Sequence, residues 1–387
     1  MKGVKFWKIF VSVLSLLAVI KLVKNLFIVR AVPLTVFSEE SLLFAADILL
    51  LLFILIFKNR WSFLSRSAGL AQSVMVILLF LGLFAPLAAP YAPDFIINAG
   101  ECRLLPPASV KQVIFEKGEL ELDRMIAADD IIEGDKVLAV RKNKTVEYSR
   151  DRIVYDDGVL RKGKVIYFLG TDEFGRDLLS RVIYGARMSL FIGLTASFIS
   201  FFISAILAFA ALSGGKLGDN AANRLSEIFL AVPSLFVIIF AVSFFGSGLT
   251  TLILILGSTS WMSLFKIING EVKRIVRKNF IITSLQLGIP KGRVFYREIL
   301  PLLFPSVAVN LLFLAANFII VEASLSFLGL GTGTEYPSWG GIIESGITYL
   351  TDAWWLVFAP GVFLVITIIA LNKSGLNLQR QFNPGIE

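Results

Sequence analysis

The sequence predicts an all-α protein that crosses a membrane several times. Of its 387 residues, 56% are hydrophobic and only 17% are charged, and the mean hydropathy is +0.78. Soluble domains are about half apolar and about a quarter charged, so this chain lies outside their usual range. A helix needs about 20 apolar residues to cross the roughly 30 Å hydrocarbon core of a bilayer, and several uncharged runs of that length occur here.

Composition also excludes several classes of function. The chain has no histidine, and Cys102 is its single cysteine. A histidine-based catalytic triad, a histidine-ligated zinc site and an intrachain disulfide are therefore impossible. We expect no catalytic residue and no metal site. The net charge of +8 would suit a nucleic-acid partner, but in a chain this apolar we expect membrane lipid and no nucleic acid.

Residues 1–60 are predicted to form two extra N-terminal transmembrane helices. The stretch 9–20 is apolar until lysines interrupt it, and 41–57 is apolar except for Asp47. A secretory signal peptide is the alternative for the first stretch, but no small-residue cleavage site follows it. Asp47 fits a functional charge within the membrane and a partner-facing or near-interface position about equally well.

Six further spans are predicted, the first of them within 61–93. The run 228–265 carries no charge and is long enough for two spans, with Gly246-Ser247-Gly248 as a natural turn between them. The uncharged runs lie between Arg66 and Asp94 and at 188–215, 228–265, 299–321 and 353–372.

The distribution of charge predicts the direction of the spans, because short cytoplasmic segments are enriched in Lys and Arg. With the N-terminus inside, the predicted cytoplasmic segments hold eighteen basic residues and five acidic ones. Both termini are therefore predicted to be cytoplasmic. These segments are 1–8, 58–66, 213–227, 266–298 and 373–387.

A small β-rich insert is predicted over 94–168, on the extracytoplasmic side. Short β-like runs recur there between turn signals such as Asp156-Asp157-Gly158. The insert is either a solvated loop domain without a site of its own or a docking surface for a soluble partner. The runs are 110–115, 137–140, 145–148, 153–155 and 165–168.

The largest cytoplasmic loop, 266–298, holds eight basic residues. It is predicted to form two short helices with a break at Gly288-Ile289-Pro290. Such an elbow suits docking onto a cytosolic subunit, and it equally suits a loop that only fixes topology. No phosphate-binding loop occurs in the sequence, so nucleotide hydrolysis, if it powers the protein, must take place on another chain. The chain has no histidine and its acidic residues are scattered, so we expect that it is not an enzyme.

Several motifs identify a family resemblance. LGTDEFGRDLLSRVIYGARMSLFIG at 169–193, EASLSFLGLG at 322–331, YPSWG at 336–340 and Ala353-Trp354-Trp355 occur in this order. In sequence and spacing they resemble the inner-membrane permeases of the dipeptide/oligopeptide/nickel class of ABC importers, over about residues 60–387. The resemblance implies a six-helix ABC importer permease core, with 169–387 as its main part.

The resemblance also indicates candidate residues on the outer face. Within 169–187 they either fix a corner of the fold or contact substrate, and Asp177 and Arg181 are spaced to pair at i, i+4 on a helix. Glu322 follows an uncharged span, where it lines the mouth of the pathway or caps a helix junction. The motif residues are Gly170, Thr171, Asp172, Gly175, Arg176 and Asp177.

The loop 266–298 resembles the family's ATPase-coupling loop but departs from its usual Glu-Ala-Ala. Ile282, Thr283 and Ser284 occupy those positions, whereas Gly288 is kept and permits a bend. The missing acidic residue leaves the usual ion pair to the ATPase in doubt. The other candidate coupling residues are Arg293, Leu300 and Pro301.

The resemblance implies the transmembrane permease subunit of an ATP-driven importer in the inner membrane. It would form half of the pathway for peptides, or for nickel and related solutes. The implied partners are a second homologous permease, two ATP-binding cassette ATPase subunits and an extracytoplasmic substrate-binding protein. No cofactor is expected on this chain, since ATP would bind the partner subunits. The alternative is a secondary transporter driven by an ion gradient, but the six core spans are uncharged and show no repeat.

Overall fold

The structure is a computed structural model, and it describes residues 70–117, 124–134, 136–141, 144–156, 159–333 and 336–382. The two helices predicted for residues 1–60 lie outside the described residues. The chain forms two compact units. One, here called the mixed unit, contains 85–188 and 323–365, and the other, here called the helical unit, contains 70–84, 189–322 and 366–382.

The mixed unit contains all of the described strands. Every strand pair is antiparallel, in sheets of order β2-β1-β8, β3-β4-β5 and β6-β7. The strands are β1 (Ser109–Glu116), β2 (Arg124–Ala128), β3 (Asp130–Glu133), β4 (Val137–Arg141), β5 (Lys144–Tyr148), β6 (Tyr155–Asp156), β7 (Val159–Leu160) and β8 (Lys162–Tyr167). Each β-like run predicted from the sequence overlaps one of these strands.

Strand β1 joins two hydrophobic clusters, because successive side chains of a strand point to opposite faces. Val113 packs with Cys102 and Tyr167 on one face. Ile114 packs with Ile153 and other residues on the opposite face. The β-rich insert therefore has a hydrophobic cluster on each face of β1.

Helices make up the rest of the described chain, apart from its loops and one 3₁₀ turn (Arg150–Arg152). A five-residue π-helical segment (Phe295–Ile299) joins α10 to α11. The helices are α1 (Leu70–Leu83), α2 (Ala85–Ala88), α3 (Ala99–Cys102), α4 (Leu178–Ser213), α5 (Gly215–Leu230), α6 (Ser234–Phe245), α7 (Leu249–Thr259), α8 (Trp261–Val276), α9 (Asn279–Gln286), α10 (Lys291–Val294), α11 (Leu300–Phe327), α12 (Trp339–Ile347) and α13 (Trp355–Phe382).

Among the described residues, three helices are long and apolar enough to cross a membrane: α4, the continuous stretch Lys291–Phe327, and α13. Two bent pairs raise the number to five if each pair is one span. The axes of α5 and α6 differ by 77°, and those of α7 and α8 by 43°. Helix α1 is apolar over the 14 residues that are described.

The run 228–265 was predicted to be long enough for two spans, and in the structure it is shared between the two bent helix pairs. Helices α6 and α7 have only 12 and 11 residues, fewer than the about 20 that a full crossing needs. Pro233 lacks an N–H and begins α6 after the bend, and α7 ends at Thr259 before Ser260. The predicted glycine turn between them is confirmed, with positive φ at Gly246 and Gly248.

The core of the helical unit lies where the second half of α4 packs on α8 and on the segment that follows α9. Phe265 and Ile268 of α8 are fully buried there, as are Ile281 of α9 and Ile299 of the π-helical segment. One face of α8 therefore supports the loop predicted to face a cytosolic partner.

Candidate functional site

The loop before α4 is built around two glycines with left-handed backbone conformations. Gly170 has φ 81° and Gly175 has φ 82°. A Cβ at Gly170 would lie 2.4 Å from the carbonyl oxygen of Leu105. Only glycine allows both this φ and this close approach without strain, so the two glycines of the motif have a backbone role.

Thr171 connects the same loop to the segment before β1. Its hydroxyl accepts a hydrogen bond from the backbone N–H of Leu105 at 2.8 Å and donates one to the carbonyl oxygen of Cys102. Its own N–H donates to the carbonyl oxygen of Leu105 at 3.0 Å. Thr171 is fully buried, and its hydroxyl and N–H both serve to hold the loop against the segment before β1.

Asp172 is the centre of a buried charge cluster. One carboxylate oxygen accepts the backbone N–H groups of Phe174 and Arg176, each at 2.9 Å. The other lies 2.6 Å from Nε of Arg176 and 3.4 Å from Nε of Arg181. Both arginines also lie within 4 Å of the Asp94 carboxylate. Charge-assisted hydrogen bonds of this kind are among the stronger ones in proteins, so the cluster fixes the loop conformation.

Asp177 caps α4 and does not pair with Arg181, contrary to the i, i+4 prediction. Its Oδ2 accepts hydrogen bonds from the backbone N–H of Ser180 at 2.8 Å and from the Ser180 hydroxyl at 2.6 Å. The N–H groups of the first helical turn have no partner within the helix, so a carboxylate at this position turns toward them. Arg181 is paired with Asp172 and Asp94 instead.

Two tryptophans bring the other motif blocks to the same part of the mixed unit. Nε1 of Trp339, in the YPSWG block, donates to the carbonyl oxygen of Val182 at 3.0 Å. Nε1 of Trp355 donates to the carbonyl oxygen of Thr171 at 3.3 Å. A Cβ at Gly185 would lie 2.9 Å from Trp339, so the helix approaches the indole ring closely. The motif residues are packed against one another, which favours a role in fixing this corner.

The second candidate site is the segment 266–298, called the coupling segment below. Helix α9 ends at the predicted break in a Schellman motif, with Gly288 at φ 78°. The N–H of Ile289 donates to the carbonyl oxygen of Ser284 at 3.2 Å, and the N–H of Gly288 donates to that of Leu285 at 3.1 Å. Pro290 then prevents the helix from continuing.

The coupling segment has a buried base and an exposed tip. Ile281 and Val294 are buried in the core of the helical unit. On the other side, the exposed fractions are 40% for Ile282, 76% for Leu287 and 72% for Tyr296. Thr283 is exposed as well, and its hydroxyl only donates to the carbonyl oxygen of Asn279 within its own helix. Arg277, Lys278, Lys291, Arg293 and Arg297 are also exposed.

Ser284 has an acidic partner in the same segment. Its hydroxyl donates to Oε2 of Glu298 at 3.1 Å, although the two residues are far apart along the segment. An acidic side chain is therefore present beside the positions that match Glu-Ala-Ala, even though Ile282 replaces the acidic residue itself.

The end of the coupling segment continues into α11 through a π-helical turn. The N–H of Leu300 donates to the carbonyl oxygen of Phe295, five residues earlier. Pro301 follows and has no N–H to donate, so the regular α-helical hydrogen bonds are interrupted where the wider turn occurs. Leu300 and Pro301 thus lie at the junction between the coupling segment and a long apolar helix.

Glu322 lies inside α11, because the helix predicted to end at Val321 continues to Phe327. The side chain is fully buried. Glu322 therefore does not cap an end of α11, and a role at the junction with another helix stays a prediction. Its place at a pathway mouth stays a prediction.

Three residues of these sites were not predicted from the sequence. Asp94 pairs with both arginines of the charge cluster, Glu298 contacts Ser284, and Leu287 forms the exposed tip before Gly288. Leu287 had a signal, since it is apolar and stands beside a glycine in a cationic loop. The contacts of Asp94 and Glu298 depend on the fold and leave no local pattern.

Comparison with known proteins gives the family. The family model "Binding-protein-dependent transport system inner membrane component" matches residues 200–387. The dipeptide transport system permease protein DppC of Bacillus subtilis is 34% identical over 220 residues, which cover 56% of this chain and 68% of that protein. The oligopeptide transport system permease protein OppC of Haemophilus influenzae is 33% identical over 219 residues, covering 56% and 70%.

A chain of the MetNI methionine ABC transporter in an inward-facing conformation matches with 17% identity and a TM-score of 0.42, over 52% of this chain and 95% of that chain. The assignment rests on the sequence matches. The chain belongs to the family of binding-protein-dependent transport system inner membrane components, the permeases of ABC importers, and is a multi-pass protein of the inner membrane.

Proposed function

We propose that this chain forms half of the translocation pathway of an ATP-driven peptide importer. The relatives with about one-third identity are named as dipeptide and oligopeptide permeases, which supports a peptide substrate. The chain pairs with a second homologous permease, receives substrate from an extracytoplasmic binding protein and is driven by two cytosolic ATPase subunits. It binds no cofactor itself, and ATP binds the ATPase subunits.

The coupling segment docks the ATPase. The observation that carries this proposal is the combination of a buried base with an exposed apolar tip at Leu287, set among five exposed cations. A few anchor residues that become buried supply most of the binding energy at interfaces, and surrounding charges steer the encounter. A loop that only fixes topology needs the cations but not an exposed leucine held by a Schellman motif.

The substitution Leu287→Asp tests the docking. If Leu287 is an anchor, the variant should bind the ATPase at least about 30-fold more weakly, which corresponds to a loss of about 2 kcal/mol. The measurement is the amount of ATPase that copurifies with the detergent-solubilised permease. Val159→Asp is the matched control, since Val159 is also a highly exposed aliphatic residue but lies in strand β7.

Normal ATPase binding by Leu287→Asp would contradict the docking proposal. A deletion of 288–299 is a poorer test, because it removes the fully buried Ile299 and opens the core.

The substrate is tested separately by uptake. Cells that lack this chain should lose uptake of labelled dipeptides or oligopeptides, and the gene should restore it. If nickel uptake is lost while peptide uptake is unchanged, the peptide assignment is wrong and the alternative solute of this permease class is correct. The relatives' names supply the peptide assignment, so this experiment is independent of the docking test.

We further infer that both termini are cytoplasmic and that the β-rich insert, 94–168, lies outside. This orientation places the coupling segment in the cytosol, where an ATPase is available. It is supported by the excess of Lys and Arg in the segments assigned to the cytoplasm. The two N-terminal helices predicted for 1–60 keep the N-terminus on the same side as the coupling segment.

A further inference from the structure

Helix α5 turns away sharply from the apolar helix that follows it. Its axis makes an angle of 77° with that of α6, and Pro233 begins α6 directly after the turn. Helix α6 is apolar throughout, whereas α5 contains Lys216, Asp219, Arg224 and Glu227. If α6 runs through the bilayer, α5 cannot continue along the same direction and lies close to the membrane plane.

One face of α5 is attached to α8 by polar contacts. Oδ1 of Asp219 accepts a hydrogen bond from Nδ2 of Asn269 at 2.9 Å, and its Oδ2 lies 2.7 Å from Nζ of Lys273. Further along, Oε1 of Glu227 lies 3.6 Å from Nζ of Lys266. The partners run in opposite order along the two helices, so α5 lies antiparallel to α8 over most of its length.

The face of α5 that points away from α8 is exposed and mostly apolar. Leu217, Ala221, Leu225 and Ile228 recur at i, i+4, i+8 and i+11, which places them on one side of a helix. Leu217 is 83% exposed and Ile228 is 67% exposed, whereas Ala222 and Ser226 on the opposite side are buried.

We propose that α5 is an interfacial helix, whose face Leu217–Ala221–Leu225–Ile228 inserts into the boundary between lipid headgroups and acyl chains. The exposed stripe continues along the chain through Phe229 and Val232 into exposed Phe236 and Phe240 of α6, so the two apolar surfaces are contiguous in sequence. Amphipathic helices with an apolar face and charged flanks bind membranes in this way.

The polar flank of α5 fits the same placement. Lys216 and Asn220 lie on one side of the apolar stripe and are exposed, and Arg224 lies 3.2 Å from Glu227 in an exposed pair. Charged side chains at such a flank reach the headgroups while the stripe meets the acyl chains. Because α5 is attached to the part of α8 that belongs to the coupling segment, the lipid contact also sets the depth of that segment relative to the membrane.

The test attaches an environment-sensitive fluorophore to single cysteines at Leu217 and Ile228. Cys102 is the only native cysteine and is removed as Cys102→Ala. The labelled transporter is reconstituted into vesicles with phospholipids brominated near the headgroup or deep in the chain, or is exposed to aqueous iodide. Labels at both positions should lose more fluorescence with the shallow bromines than with the deep bromines or with iodide.

Two labelled positions serve as controls. Lys216→Cys, next to Leu217 but on the polar flank, should be quenched more by iodide than Leu217→Cys. Phe240→Cys, exposed on α6, should be quenched most by the deep bromines. Thermal unfolding of each labelled variant checks that the label leaves the fold intact.

Strong iodide quenching at Leu217 and Ile228 would overturn the proposal, because the stripe would then face water. Protection from both quenchers would overturn it as well, and would show that the partner permease covers the stripe. Neither outcome changes the ATPase-docking proposal, which is tested by the effect of Leu287→Asp on ATPase binding.

Discussion

At the scale of single residues, Asp177 shows the cost of burying a carboxylate in the motif corner. Its Oδ2 accepts two hydrogen bonds from Ser180, whereas its Oδ1 is buried with no hydrogen-bond partner among the described residues. Burial raises the pKa of the carboxyl group above its usual value, the hydrogen bonds from Ser180 oppose this, and the charge of Asp172 raises it further. The folded state therefore holds this proton more tightly than the unfolded chain does.

This shift predicts how Asp177→Asn changes stability with pH. The raised folded pKa means that the contribution of Asp177 to stability falls as the pH rises above about 3.9, the usual value for an unfolded Asp. Asparagine has no charge, and its oxygen can still accept from Ser180. The difference in Tm, variant minus wild type, should become more positive between pH 4 and pH 7, as measured by thermal unfolding in detergent.

Ser180→Ala should change the difference in Tm with pH in the opposite direction. It removes a hydroxyl that stabilises the charged carboxylate, so its difference in Tm from the wild-type protein should become more negative over the same pH interval. If neither variant shows a pH-dependent difference, Asp177 does not have the shifted pKa.

The pairing of Arg181 shows which contacts a sequence predicts at this scale. Spacing along a helix predicted an Asp177–Arg181 pair, because it considers only neighbours within one element. The structure pairs Arg181 with Asp172 and Asp94, which reach it only after the loop has folded around Gly170 and Gly175. The motif residues could be predicted from the sequence, but their partners could not.

At the scale of elements, helix ends were predictable where glycine and proline define them and unpredictable elsewhere. The turn at Gly246–Gly248 and the break at Gly288–Pro290 both occur as predicted. The bend near Ser260 has no glycine or proline beside it, and Pro301 signals an interrupted helix but not the π-helical form of the turn before Leu300. An uncharged run shows that a segment avoids water, but it does not show where the helices within it change direction.

Gly288 is the position at which the end of α9 can be tested. No atom lies within 4 Å of the place that a Cβ would occupy there, so Gly288→Ala has only the backbone cost of its positive φ, about 1–2 kcal/mol. The Schellman hydrogen bonds should open more often, with about tenfold faster hydrogen exchange at the amide of Ile289. Gly288→Asn should restore most of the protection, because Asn adopts this conformation more readily.

Gly292→Ala is the matched control in the same segment. Gly292 lies in α10 without a positive φ, and a Cβ there would meet Phe209 at an ordinary distance of 3.6 Å. Exchange at Ile289 should therefore remain unchanged. Equal exchange in the alanine variants of Gly288 and Gly292 would show that the glycine conformation does not hold the end of α9.

At the scale of the whole molecule, the net charge of +8 is the result of an uneven distribution. The segments assigned to the cytoplasm carry eighteen basic and five acidic residues, whereas 94–167 carries thirteen basic and fourteen acidic ones. The net positive charge is therefore not spread evenly over the chain. It lies on one predicted side of the membrane, and the largest cytoplasmic group of cations is in the coupling segment.

This asymmetry makes a prediction that one labelling experiment can decide. Single cysteines are placed at Val159 and Leu287 in the Cys102→Ala background, because both residues are highly exposed and lie in the β-rich region and the coupling segment, respectively. A membrane-impermeant maleimide added to intact spheroplasts should label Val159→Cys but not Leu287→Cys. After permeabilisation, both should be labelled to a similar extent, which controls for the reactivity of each thiol. Labelling of Leu287→Cys in intact spheroplasts would show that the orientation is the reverse of the predicted one. It would also place the coupling segment on the side without ATP, where a cytosolic ATPase could not bind it, contrary to the rule that keeps Lys- and Arg-rich segments in the cytoplasm.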